Sequence, residues 1–289
     1  MTWVAAVVQG ILLGGLYALS ACGLSLLYGV MGAINLAHGD LAVIAAYVAI
    51  VAIPILHLPA VLAFLVVVPV FLVLGYVGQR TLIQRSLDRG PLTTLLVTFG
   101  LSIIIQNVLL TVFSADSHSI DIGSLITASI QVNNQISIAG VSLAIFVVAV
   151  AVLVGLQLLL SRTDIGRRIR AVADDPEAAQ LAGVDYRHVF GIAAALAVGT
   201  VALAGLAFGM YSSFAPTAGS ARLLFAFEAV VIGGLGSLWG TLAGGIVLGV
   251  AQTVGAAIDP GLGVLTGHAV FLAVLAIRPQ GLFRGRVTA

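Results

Sequence analysis

Trp3-Val-Ala-Ala-Val-Val-Gln-Gly-Ile-Leu-Leu-Gly-Gly-Leu-Tyr-Ala-Leu-Ser-Ala-Cys-Gly-Leu-Ser-Leu-Leu-Tyr28 carries no charged residue, and the first charge in the chain is Asp40. A spanning helix needs about 20 mostly apolar residues, so this run is long enough to cross a bilayer. No basic segment precedes it and it is too long for a signal peptide, so it reads as a retained span. The rest of the chain follows suit. Of 289 residues, 61% are hydrophobic and 8% are charged, with a mean hydropathy of +1.19. A soluble domain is about 25% charged. This composition cannot supply the polar skin that a soluble fold of this length needs. Soluble enzymes, nucleic-acid-binding modules and disordered chains are excluded, and the lipid bilayer is the solvent.

Further apolar runs lie at 41–56, 60–79, 92–113, 138–160 and 189–213. A short run (223–232), a longer one (240–257) and a last one (262–278) follow. None alternates with the period of a membrane β-barrel. The expected class is all-α: a polytopic integral membrane protein with about 8-9 transmembrane segments, including broken or re-entrant helices, in one domain over 1-289. The 34 glycines suit close helix contacts in lipid. Cys22, the single cysteine, sits in an apolar run and reads as a small hydrophobe.

All basic residues are Arg, and their placement gives orientation. Arg80, Arg85 and Arg89 share one loop; Arg162, Arg167, Arg168, Arg170 and Arg187 share another; Arg278, Arg284 and Arg286 are C-terminal. Only Arg222 falls on the other side, and span parity agrees. The positive-inside rule then puts the C-terminus in the cytoplasm and the N-terminus outside. On that parity, 114–137 is the longest outer loop. Its Gln131-Val-Asn-Asn134-Gln-Ile reads as a small hairpin with an Asn-Asn turn.

Two Gly-rich segments interrupt the apolar runs. Tyr28-Gly-Val-Met-Gly-Ala-Ile-Asn-Leu-Ala-His-Gly-Asp40 holds Asn35, His38 and Asp40. Exposing such backbone to lipid costs several kcal/mol per unsatisfied group, so it is buried in protein or lines a water-filled cavity. It reads either as a cytoplasmic turn whose Asn and Asp cap the next helix or as part of a gate. Ile232-Gly-Gly-Leu-Gly-Ser-Leu-Trp-Gly240 is the second. Its Gly233-x-x-Gly236 aligns with Gly29-x-x-Gly32, which suggests two similar halves with both breaks on the cytoplasmic side. Gly233, Gly234 and Gly236 serve either close packing or a gate. Among ionisable residues at depth, Glu228 pairs with Arg222 at the outer interface or faces the pathway. Gln106 and Asn107 suit interhelical hydrogen bonds, and His268 packs against a neighbouring helix.

The loop 161–188 holds five positive and five negative residues, basic first and acidic second. Asp175-Pro176-Glu177 is a helix start: a cap, a proline at the first position and an acid in the first turn. Gly183 suits the position after the helix end. A helix over about 176–182 would present Ala178, Ala179, Leu181 and Ala182 to a groove. Such a helix can carry force from a soluble motor into the membrane.

Three segments together carry a resemblance: Tyr28-Gly-x-x-Gly-x-Ile-Asn-x-Ala-His-Gly-Asp40, Gly166-Arg-x-x-Arg-Ala-Val-x-x-Asp-x-x-Ala-Ala-x-x-x-Gly183 and Gly233-Gly-Leu-Gly-Ser-x-x-Gly-x-x-x-Gly-Gly245. Over nearly its whole length the chain resembles the permease subunits of bacterial branched-chain amino acid ABC importers, specifically the member without an N-terminal extension. Leu36 departs from the aromatic common there, which should affect packing more than activity. The resemblance implies a multi-pass protein of the bacterial plasma (inner) membrane. It implies a second related permease subunit, two cytoplasmic ABC ATPase subunits and an extracytoplasmic substrate-binding protein. It implies no cofactor, metal or nucleic acid. Asn35, His38, Asp40, Gly233, Gly234, Gly236 and Glu228 would line or gate the pathway. Gly166, Arg167, Arg170, Asp175, Pro176, Glu177, Ala178, Ala179, Leu181 and Gly183 would couple to the ATPases. Related permeases carry urea, short-chain amides or other small polar solutes, so the solute stays open.

Rival classes fare worse. The chain has no Gly-x-x-x-x-Gly-Lys-Ser/Thr phosphate loop, so ATP binds elsewhere. For an intramembrane enzyme, His38, Asp40, Ser237 and His268 are nominal catalytic types. There is no His-Glu-x-x-His pair, and Ser237 fails the Gly-x-Ser-x-Gly turn. A passive channel leaves the charge-split loop unexplained.

Overall fold

A computed structural model describes residues 3–57, 59–123, 129–133 and 136–283. Asn134 of the expected turn, and Arg284 and Arg286, lie outside them.

The apolar runs become helices close to the expected bounds. They are α1 (Trp3–Met31), α2 (His38–Leu56), α3 (Phe64–Gly78), α4 (Gln84–Leu87), α5 (Pro91–Phe113) and α6 (Gly140–Arg162). Then come α7 (Asp164–Asp174), α8 (Pro176–Leu181), α9 (Tyr186–Tyr211), α10 (Gly219–Gly233), α11 (Leu238–Ile258) and α12 (Leu262–Ile277). A π-helical turn, Gln79–Ile83, joins α3 to α4, so Ala60–Leu87 forms one span. Among the described residues, seven spans are long and apolar enough to cross a membrane; α10 and α12 are shorter. The protein is a polytopic all-α membrane protein. The expected hairpin is present as β1 (Ser129–Asn133) paired antiparallel with β2 (Ile136–Ala139).

Lipid tails are as apolar as leucine, so helices associate here by close packing rather than by the hydrophobic effect. The α1–α11 seam shows how. Gly10 and Gly14 face the backbone of Val250 and Ile246, while Gly245 and Gly249 face Gly14 and Gly10 in return. Both pairs are spaced four apart, so they fall on one face of each helix. The helices run antiparallel, and any side chain on this face would push the backbones apart. α1 and α9 are the most buried spans and form the centre. α3, α5 and α6 are the outer ones, with apolar side chains such as Leu96 and Val147 turned outward.

The Arg-rich loops meet. Arg80 pairs with Asp185 at 3.6 Å, Arg187 with Asp88 at 3.4 Å, and the Tyr76 hydroxyl lies 2.8 Å from His188 Nδ1. α7 packs Ile169 and Val172 against Leu26 and Val30 at the end of α1 and beside Leu238 at the start of α11. The 80–89 and 162–187 regions therefore sit at one end of the bundle, as parity expects. Exposed surface ion pairs are worth about 0–1 kcal/mol each, so the apolar seat of α7 holds this end more than they do.

Candidate functional site

The first break folds differently from a simple turn at the bundle end. α1 stops at Met31, and Gly32 takes a left-handed φ of +63°. The chain then re-enters the bundle. Asn35 Oδ1 accepts from Ala37 N–H at 3.0 Å, an Asx turn that starts α2. Leu36 N–H donates to Thr98 Oγ1 of α5 at 3.2 Å. His38 Nε2 donates to the Ser20 carbonyl in the middle of α1 at 2.8 Å. Asp40 reaches the middle of α5: Ser102 Oγ donates to Oδ2 at 2.5 Å and Gln106 Nε2 donates to Oδ1 at 3.0 Å. Gln106 also donates to Ser220 Oγ of α10 at 3.3 Å. Asp40 is not a cap; its place in the first turn of α2 suits the positive end of the helix dipole. Both breaks start at one end of the bundle, where Val30 and Leu238 share an apolar cluster, but the first runs on to mid-depth. A re-entrant segment returns to mid-depth without changing span parity.

Two glycines allow this meeting. An added Cβ on Gly39 would overlap the Gly219 carbonyl, and one on Gly219 would overlap the Asp40 carboxylate. The N-termini of α2 and α10 thus touch backbone to backbone.

The second break stays at that end. Gly233 is about 21 Å along α10 from Gly219 at 1.5 Å per residue. Gly233 and Gly240 pack backbone to backbone, and Gly234 (φ +109°) lies against Phe283. Phe283 N–H donates to the Gly233 carbonyl at 2.9 Å, and Leu282 N–H to Ile232 at 2.8 Å. Ser237 Oγ caps α11 by accepting from Gly240 N–H at 3.0 Å. Gly233, Gly234 and Gly236 therefore sit under the C-terminal segment, apart from Asn35, His38 and Asp40.

Glu228 does not pair with Arg222. Its Oε1 lies 2.5 Å from His268 Nδ1 on α12, and Phe225 stacks on that imidazole with centroids 5.9 Å apart. Arg222 instead donates to Ser212 Oγ at 3.2 Å and lies over the Phe208 ring at 4.0 Å. A ring face attracts a cation by about 0.5–2 kcal/mol, so Phe208 and Ser212 hold Arg222 in place of an acid. His268 packs against α10 as expected, under Phe225, and adds the hydrogen-bonding contact with Glu228. Gln106 makes the expected interhelical bonds, whereas Asn107 bonds its own helix at Ile103 O.

The 161–188 loop holds the expected helix and one more. Asp175 Oδ1 accepts from Glu177 N–H at 2.9 Å and Ala178 N–H at 3.0 Å, Pro176 opens α8, and Gly183 follows it at φ +87°. Before it, α7 is capped by Thr163, whose Oγ1 accepts from Gly166 N–H at 3.1 Å. Gly166 abuts the Leu159 and Leu160 carbonyls, so only glycine lets α6 turn into α7. Arg167 is exposed and pairs with Asp164, and Arg170 is half-buried. The α8 surface is corrected in one respect. Ala179 is buried against the α1–α9 core, while Leu181 is 91% exposed and Ala178 and Ala182 are exposed beside it.

A family described as "Branched-chain amino acid transport system / permease component" matches residues 6–277. The chain belongs to that family. It is 33% identical to the high-affinity branched-chain amino acid transport system permease protein BraD of Pseudomonas aeruginosa, over 95% of this chain and 94% of that one. It is 30% identical to the corresponding LivH protein of Salmonella typhimurium, over 95% and 93%. A shorter match, 42% over 118 residues, is to the fructose import permease protein FrcC of Rhizobium meliloti, covering 37% of this chain and 33% of that one.

Sequence reading missed two partners in this permease's central cluster, Ser102 and Ser220. A signal was present. Thr94, Thr98, Ser102 and Gln106 recur every four residues, a polar stripe on one face of an otherwise apolar helix.

Proposed function

We propose that this permease is the membrane subunit of an ATP-driven importer carrying branched-chain amino acids across the plasma membrane. It works with a second related permease, two cytoplasmic ATPases and an extracytoplasmic binding protein, and has no catalytic site of its own. The observation that carries the reading is the match over nearly the whole length to relatives bearing that name. The chain acts as one domain, with 161–188 and the C-terminus cytoplasmic and the N-terminus outside. Asn35, His38 and Asp40 line the pathway, and Glu228, Gly233, Gly234 and Gly236 gate it along α10. Gly166, Arg167 and Arg170 hold α7, and Asp175, Pro176, Glu177, Ala178, Ala179, Leu181 and Gly183 shape α8, which docks on an ATPase. ATPase closure rocks α7 and α8 against the ends of α1 and α9.

Uptake in cells lacking other leucine importers tests the solute. Leucine, isoleucine and valine should enter and compete with one another. Entry of fructose, urea or short-chain amides instead would favour the second reading, a permease for another small polar solute, to which the FrcC likeness points.

Docking through α8 has its own test. Leu181→Asp changes a side chain that touches almost nothing within the chain. Thermal stability should stay within about 0.5 kcal/mol of the parent, while ATPase capture and uptake fall at least about tenfold, the scale of one interface hot spot. Unchanged ATPase binding in a pull-down would remove α8 from the coupling surface.

A further inference from the structure

Asp40 is 1% exposed inside a membrane bundle, yet its hydrogen-bond partners are neutral: Ser102 and Gln106. Among the described residues no Arg or His lies within ion-pair distance of it. Buried acids in membranes are paired or functional. One turn along the α5 stripe from Ser102, Thr98 borders a cavity of about 60 Å³. Asn35, Leu41, Gln79, Thr94 and Leu101 also line it. Most of its wall is aliphatic. Its hydroxyls are spent: Thr98 Oγ1 donates to the Thr94 carbonyl at 2.9 Å and accepts from Leu36 N–H. Gln79 differs. It is 1% exposed, sits in the π-helical turn, and its Nε2 has no hydrogen-bond partner among the described residues. An unpaired buried amide donor costs about 1–3 kcal/mol, and π turns concentrate at functional sites.

We propose that Asp40 and Gln79 are two contacts of one passage beside α5 for a zwitterionic solute with an aliphatic side chain. The Asp40 carboxylate takes the ammonium, displacing the Ser102 and Gln106 donors. The Gln79 amide N–H takes the carboxylate, and the aliphatic wall takes the side chain. The proposal rests on the importer reading and deepens it. A neutral amide or a sugar offers no cation to Asp40, so the buried acid selects amino acids at the membrane step.

The test uses the complete complex in proteoliposomes, with leucine as the probe. Asp40→Asn keeps an acceptor for Ser102, and a flip of the Gln106 amide lets its oxygen accept from the new N–H, so the structural role is kept. Its maximal uptake rate should fall about tenfold or more, the scale of a lost hydrogen bond to a charged group. KM should hold, because capture by the binding protein precedes this step. ATP hydrolysis stimulated by the binding protein should persist, and Asp40→Glu should restore part of the uptake. Gln79→Met, of similar size, should lower the rate in the same way. Wild-type uptake by Asp40→Asn would overturn the proposal. So would a parallel loss of uptake, ATP hydrolysis and thermal stability, which marks a structural role alone. If the parent complex imports no leucine, the importer reading itself fails; if it does and both variants match it, only this inference fails.

Discussion

Gly39→Leu is expected to leave no folded protein in the membrane. Gly39 meets the Gly219 carbonyl backbone to backbone, and a Cβ there would also lie 2.8 Å from Leu223 N. No flexible side-chain end is available to yield. Relief requires α2 and α10 to separate; α5 ties to α2 through Ser102–Asp40 and to α10 through Gln106–Ser220, so one of these links is strained or lost as well. Overpacking a well-packed core by a methylene or two costs about 1–3 kcal/mol, against a total stability of about 5–15 kcal/mol. Gly39→Ala should therefore fold with a lowered Tm, and leucine should exceed the margin. Detergent extraction with size-exclusion profiles reads both. A monodisperse Gly39→Leu protein would show that the two N-termini do not cross as described.

The second large effect belongs to the Glu228–His268 pair. Glu228 is 1% exposed, and its Oε2 already lacks a partner among the described residues. His268→Leu strands the carboxylate without its remaining contact. Leaving a buried polar group without its partner costs about 1–3 kcal/mol, more for a charged one, whereas replacing both partners by apolar groups of the same shape can be nearly neutral. The single variant should thus lose stability on that scale. Glu228→Leu combined with His268→Leu should recover most of it, with the difference read as a coupling in a double-mutant cycle. Additive losses in the thermal melts would contradict the pairing.

Much of this was legible before the fold was seen. Span length follows from bilayer thickness, so the apolar runs from Trp3 to Arg278 mark the helices to within a few residues, except that the third span runs on past Gln79 to Leu87. Local chemistry at Asp175-Pro176-Glu177 places α8, because a cap acts only on its nearest backbone. The Gly-rich seams were visible as composition, though not as the α1–α11 partnership. What stayed hidden is long-range. Asp40 finds Ser102 on another helix, and Glu228 finds His268 rather than the nearby Arg222, which turns to the Phe208 ring. α7 was hidden for another reason: its apolar seat is little more than Ile169 and Val172 in a run of Arg and Asp. The depth of Asp40 escaped because counting spans records only which side a loop leaves from.

The central claim is that this chain lets ATP drive branched-chain amino acids across a membrane. The direct measurement is accumulation of labelled leucine in proteoliposomes holding the complete complex, with the binding protein outside and ATP enclosed on the side of the 161–188 loop. The account predicts uptake beyond equilibrium that stops when the enclosed ATP is omitted. Leucine that merely equilibrates whether or not ATP is present, or does not enter at all, would contradict it.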